Sequence, residues 1–257
     1  QLGAHADSDR ASVVLRTLVA PDKREPALDL LRTVLGAPRF DPAVVAREQA
    51  RTIASLKEAL TRPDTIAGKA FWQAMYPDHP YGRQATPESV AAIARQDVVD
   101  FYRRYYNAKN AGITIVGQIT RAEAEAIAQT LAAALPPGDA APLPPPPVAP
   151  EQSTRRIAHP ATQSHLYIGM PAIRRGDPDF FPLLVGNYSL GGGGFVSRLM
   201  QEVRDKRGFA YSVYSYFAPL RQNGPFQIGL QTKRSQAQDA LQLTQSLLDT
   251  FLKEGPS

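Results

Sequence analysis

The segment GGGGFVSRLMQEVRDKRGFAYSVYSYF, Gly191 to Phe217, holds the residues of this chain best suited to chemistry. Glycines ahead of a helix let another backbone come close, and they leave first-turn amides able to hold an anion or a peptide carbonyl. A phosphate loop would follow its glycines with Lys and then Ser or Thr, whereas Phe195-Val196-Ser197 follows here. The spacing predicts a helix over Phe195–Lys206 with Phe195, Leu199 and Val203 on one face. Gly208 is placed to end that helix as a left-handed cap, after which the chain reverses into a strand carrying Tyr211. Such a turn can bring the Arg204 guanidinium and the Tyr211 hydroxyl to one mouth. The plainer alternative, favoured by composition alone, has Arg204 complementing the helix dipole and Tyr211 serving as one more strand aromatic.

These residues need a scaffold, and the periodicity supplies one. Before the middle of the chain the pattern predicts a strand over Ala11–Leu18 and helices over Pro26–Leu35, from Asp41-Pro42 to about Leu60, and over Asp64–Met75. A tight PDHPYG segment, Pro77–Gly82, follows. Thr86-Pro87-Glu88 caps a short helix, Arg95–Tyr106 is the next helix, Ala111–Gly117 (AGITIVG) is a buried strand and Arg121–Leu135 a closing helix. Pro136–Pro150, PPGDAAPLPPPPVAP, has eight prolines in fifteen residues. No regular ladder forms there, so it is expected to be a stiff linker between domains 1–135 and 151–257. Beyond it come a strand over Ser164–Met170, a helix over Phe180–Leu190, strands over Phe209–Phe217 and Pro225–Thr232, and a helix over Ser235–Leu252.

An offset of 213 residues lays Val13, Leu15 and Thr17 on Phe226, Ile228 and Leu230. The same offset lays the leucine pattern of Ala27–Leu35 on Ala240–Leu248. If the halves are homologous domains, each lacks a stretch that the other has, and the chain is expected to be truncated at both ends.

Composition limits the function classes. In 257 residues there are 29 Lys+Arg against 24 Asp+Glu, a net charge of +5, and no cysteine. A disulfide framework, a thiolate zinc site and a cysteine nucleophile are thereby excluded. No apolar run approaches the roughly 20 residues of a membrane-spanning helix. Basic residues are interspersed with acids, as in Arg121–Glu125, rather than gathered in a stripe, which argues against a nucleic-acid partner.

The glycine loop, the Arg204/Tyr211 spacing of seven and the two-repeat layout resemble the pitrilysin/insulinase family of zinc peptidases, which includes the mitochondrial processing peptidase. GGGGFVSRL with RGFAYSVYS is similar to that family's second domain. HPYG (His79–Gly82) and Tyr106-Asn107-Ala108-Lys109-Asn110 occupy familiar places in its first. The fold this resemblance implies is α+β: tandem homologous domains, each an antiparallel-rich mixed sheet with helices packed on one face. It also implies an HxxEH zinc helix upstream of residue 1 and a ligand Glu on a later helix, seven residues after the Glu of an Arg-Glu pair and two after an Ile. Arg47-Glu48 and Ile53 fit that pattern, but Ser55 stands at the ligand position, and Glu58 would need a slip of three residues. The four His, at 5, 79, 159 and 165, include no pair four apart.

A retained Arg/Tyr pair with a missing metal ligand resembles the non-metal subunit of bacterial two-chain members. The resemblance then implies no cofactor in this chain and zinc in a homologous partner subunit. Arg204 and Tyr211 would be the catalytic contribution, stabilising an oxyanion. Gly191, Gly192, Gly193, Gly194 and Phe195 would lie along a peptide or unfolded-protein substrate, and the location would be periplasmic. Two alternatives stand beside it: a self-sufficient zinc peptidase using an upstream HxxEH and Glu58, and a non-enzymatic peptide-binding or scaffold protein of the same fold.

Overall fold

The computed structural model describes residues 1–256. Its elements in chain order are β1 (Leu2–Ala6), β2 (Ala11–Leu15), α1 (Pro21–Gly36), α2 (Pro42–Ala59), α3 (Pro63–Met75), α4 (Pro87–Ala91), α5 (Arg95–Tyr105) and α6 (Arg121–Ala133). After the proline-rich segment come β3 (Gln163–Ile173), α7 (Phe180–Asn187), β4 (Ala210–Phe217), β5 (Gly224–Lys233) and α8 (Ala237–Glu254). The chain forms two compact units. One comprises Gln1–Ala54 with Thr86–Leu143, the other Ser55–Ala85 with Pro144–Ser257.

In the first unit β1 and β2 make an antiparallel hairpin. Its turn is closed by Asp7, whose Oδ1 accepts from the amides of Asp9 and Arg10. Helix starts follow the side chains that cap them. Asp41 Oδ1 accepts from Ala43 N ahead of α2, and Thr86 with Ser89, and Thr120 with Glu123, form reciprocal capping boxes for α4 and α6. The AGITIVG segment forms no strand. Ile113 is exposed and Val116 is 92% exposed. β-branched residues favour an extended chain only where a neighbouring strand takes up their amides, and none does so among the described residues.

The second unit is built on a three-stranded antiparallel sheet of order β3-β5-β4. One face carries Leu166, Ile168, Val213, Ile228 and Leu230, and α8 covers it with Ala240, Leu243, Leu247 and Phe251 at helical spacing. On the opposite face Tyr167 and Tyr214 flank Gly229, and Phe71 of α3 packs on Tyr167 with ring centroids 5.7 Å apart. α7 and the residue that follows it present Phe181, Leu184, Val185 and Tyr188 to solvent at positions i, i+3, i+4 and i+7, an apolar strip along the outer side.

The internal repeat appears in the strand registers. Leu2 lies opposite Leu15 and Gly3 opposite Val14 in the first hairpin. In the second, Ser215 lies opposite Ile228 and Tyr216 opposite Gln227, each residue 213 positions after its counterpart. A one-residue slip in either pairing would exchange the faces of a strand, so identical register is a stronger agreement than shared periodicity.

Candidate functional site

The site is assembled between α7 and β4. α7 widens into a π-helical turn, Tyr188–Gly192, a short 3-10 turn covers Gly194–Val196, and Met200–Lys206 is again π-helical. The expected helix over Phe195–Lys206 is therefore broken near its start. Ser197 is extended and buried, and its hydroxyl donates to Gly194 O at 2.7 Å. Helical geometry resumes only after it. Leu199 and Val203 are fully buried, as their spacing predicts, but Phe195 is 69% exposed and does not share their face. Gly208 ends the segment with φ +61°, its amide donating to Arg204 O at 2.9 Å. L-residues with side chains pay for that conformation and glycine does not.

Arg204 and Tyr211 come together across this turn. Arg204 Nε donates to the Tyr211 carbonyl at 3.1 Å, and Nη1 pairs with Asp205 Oδ1 at 2.6 Å. The guanidinium carbon sits 5.1 Å from the Phe195 ring centroid and 5.6 Å from that of Tyr211, so the cation lies against both rings. Tyr211 is 87% exposed. The pair stands on an open surface. The nearby groove, about 510 Å³, is lined by Tyr188, Val196, Arg198, Glu202 and Leu247 among others, without Arg204 or Tyr211. Of the strand tyrosines, Tyr167 and Tyr216 have hydroxyls pushed above their ordinary value chiefly by burial.

The four glycines do different work. A Cβ on Gly191 would lie 2.4 Å from Ser215 Oγ and 2.8 Å from a Leu199 methyl, so this position is a close approach inside the core. Gly192, Gly194 and Phe195 form the exposed part of the loop. Behind it is a buried polar pair that spacing could not reveal. Asn187 Nδ2 donates to Ser215 O at 2.9 Å, and Ser215 Oγ donates to Asn187 Oδ1 at 2.5 Å, joining the end of α7 to β4.

Ser55 and Glu58 are both exposed, and Glu48 is engaged by Arg47 at 3.0 Å and Arg51 at 3.5 Å. A neutral serine hydroxyl is a poor zinc ligand. No cluster of three or more His, Cys, Asp or Glu suited to a metal occurs among the described residues. His79 is committed elsewhere, with Nδ1 accepting from Tyr81 N and Nε2 bonded to Pro145 O.

The sequence profile of the family described as Peptidase M16 inactive domain matches residues 92–257. The chain belongs to the peptidase M16 family. A crystal structure of an M16 inactive domain from Pseudomonas fluorescens superposes with a TM-score of 0.98 at 38% identity, covering 100% of this chain and 63% of that one. An uncharacterized zinc protease of Streptomyces coelicolor is 31% identical over 75% of this chain, and one of Bacillus subtilis is 28% identical over 89%. This chain spans 44% and 56% of the length of those two relatives. The α+β fold and the pitrilysin-type resemblance thus stand as findings.

Proposed function

We propose that this chain is a catalytically incomplete part of a zinc endopeptidase and works beside a homologous, zinc-bearing partner. The observation that carries this is the Arg204 guanidinium held between Phe195 and Tyr211 at the rim of the glycine loop, in a chain matched as an M16 inactive domain. A peptide carbonyl under attack gains negative charge, and a guanidinium already fixed in direction stabilises it without reorganising. Two contacts hold Arg204, to Tyr211 O and Asp205, which leaves other N–H groups of its fork for a substrate carbonyl. The exposed Tyr211 supplies a phenol alongside. Gly192, Gly194 and Phe195 form the strip on which an extended peptide would lie. Metal and attacking water belong, in this proposal, to the partner.

The test is peptide cleavage by the full-length chain reconstituted with its zinc-bearing partner. Arg204→Ala and Tyr211→Phe should each lower turnover by roughly ten- to a thousandfold, the scale for losing one preorganised donor. Assembly of the pair, followed by gel filtration, should not change. Undiminished turnover in the double variant leaves Arg204 as a helix-end cation and Tyr211 as a strand aromatic.

A further inference from the structure

Two motifs named from the sequence, HPYG and Tyr106–Asn110, take no part in the chemistry around Arg204. Both grip the proline-rich segment. Its burial has a period of three: Ala141, Pro144, Pro147 and Pro150 are half-buried, and the residues between them are exposed. A left-handed polyproline helix has three residues per turn and no internal hydrogen bonds, so it lays every third residue on whatever surface it follows.

In the second unit that surface is the HPYG turn. His79 is buried. Its Nδ1 accepts from Tyr81 N at 3.2 Å, which places the ring proton on Nε2, and Nε2 donates to Pro145 O at 2.9 Å. Gln222 Nε2 donates to Pro144 O at 2.5 Å, and the Gln222 amide is itself fixed on the Tyr81 hydroxyl at 3.1 Å. Tyr76 OH donates to Asn223 O at 3.0 Å. The rings pack edge to face, His79 on Tyr81 at 4.5 Å and Tyr76 on Tyr81 at 5.6 Å. A Cβ on Gly82 would lie 1.9 Å from Tyr76 O, so only glycine closes this turn. In the first unit Asn107 Nδ2 donates to Asp139 O at 3.2 Å, Asn110 Oδ1 accepts from Ala141 N at 2.6 Å, and Lys109 pairs with Asp139 at 2.8 Å.

Proline offers carbonyls and no amide, so a proline helix is recognised by aromatic surface with side-chain donors directed at those carbonyls. We propose that Tyr76, His79, Tyr81 and Gln222 form a receptor for a polyproline helix, occupied in this chain by its own Pro144–Pro147. The segment is a bound strap rather than a free spacer.

The test uses the full chain with Pro144–Pro147 replaced by Gly-Ser-Gly-Ser, which empties the receptor, and a labelled peptide of residues 141–150 followed by fluorescence anisotropy. Saturable binding to this variant is expected. Wild type should bind none, because its tethered strap outcompetes free peptide. Adding Gln222→Ala to the emptied chain should weaken binding about tenfold, and His79→Ala by at least as much, the scale of one buried donor lost. Thermal melts identify any variant that fails to fold: should His79→Ala fail, the Gln222 result decides, and should the emptied chain itself fail, Gln222→Ala in the otherwise unchanged chain decides, expected to speed limited proteolysis within residues 141–150 and overturning the proposal if it does not. Equal peptide binding by wild type and the emptied chain, or none by either, overturns the proposal.

Discussion

At the scale of single residues, the Asn187–Ser215 pair carries a burden disproportionate to its size. Both residues are buried, and each satisfies the other. Asn187→Ala strands Ser215 Oγ and its carbonyl away from water, and should cost about 1–3 kcal/mol. Ser215→Ala should cost a similar amount. The double variant should lose less than the sum, because the second removal takes away a group already left without its partner. Urea unfolding of the four proteins measures this coupling, and strictly additive losses would contradict it. Arg204 and Tyr211 were legible in the sequence because a helix end, a glycine cap and a strand start fix their separation within a few residues. The 28-residue separation of Asn187 and Ser215 is set by packing, and nothing local in either neighbourhood specifies it. Phe195 leaves its expected helical position for a related reason. Helical periodicity does not run back through Ser197, where one extended residue turns Phe195 off the buried face.

At the scale of elements, side-chain caps specify some helix starts and not others, α1, α3, α7 and α8 beginning without one. Asp41-Pro42 and Thr86-Pro87 announced α2 and α4 to within a residue or two, since orphan amides at a helix start need a side-chain acceptor and few residue types provide one, and the structure adds Thr120 as the cap of α6. Thr120→Ala should destabilise by about 1 kcal/mol. Its partner Glu123 gives the same cap a pH dependence. Hydrogen bonds from the Thr120 amide, and then from its hydroxyl, hold the Glu123 carboxyl below the usual carboxylate range. With the folded value depressed, the stabilisation is complete above the unfolded value of about 4.3 and is lost as pH falls through the folded one. The difference in urea midpoint between wild type and Glu123→Gln should therefore be present at neutral pH and vanish under strongly acidic conditions. A difference that persists unchanged in acid would show that the carboxylate's charge plays no part. The AGITIVG segment marks the opposite case. Strand propensity states what a segment tolerates, and a ladder needs a second strand that no local pattern reveals.

At the scale of the whole molecule, the zinc question belongs to the chain as purified. On the resemblance, Ser55 takes the place of the metal-binding Glu, and no group of three or more His, Cys, Asp or Glu suited to a metal occurs among the described residues. Metal analysis of tag-free protein should find no stoichiometric zinc, and close to one tightly held zinc per chain would refute that. The outer side of α7 also has a consequence for bulk behaviour. Four large apolar side chains, with Val185 72% exposed, stand in one line on a protein of net charge +5. Coulomb repulsion between like-charged copies keeps them apart at low ionic strength, and salt shortens its reach to within a nanometre or so. The apolar line is not screened. In the language of colloids, added salt moves the second virial coefficient of this solution from positive towards negative, and buffers that calm most proteins would bring this one closer to clouding.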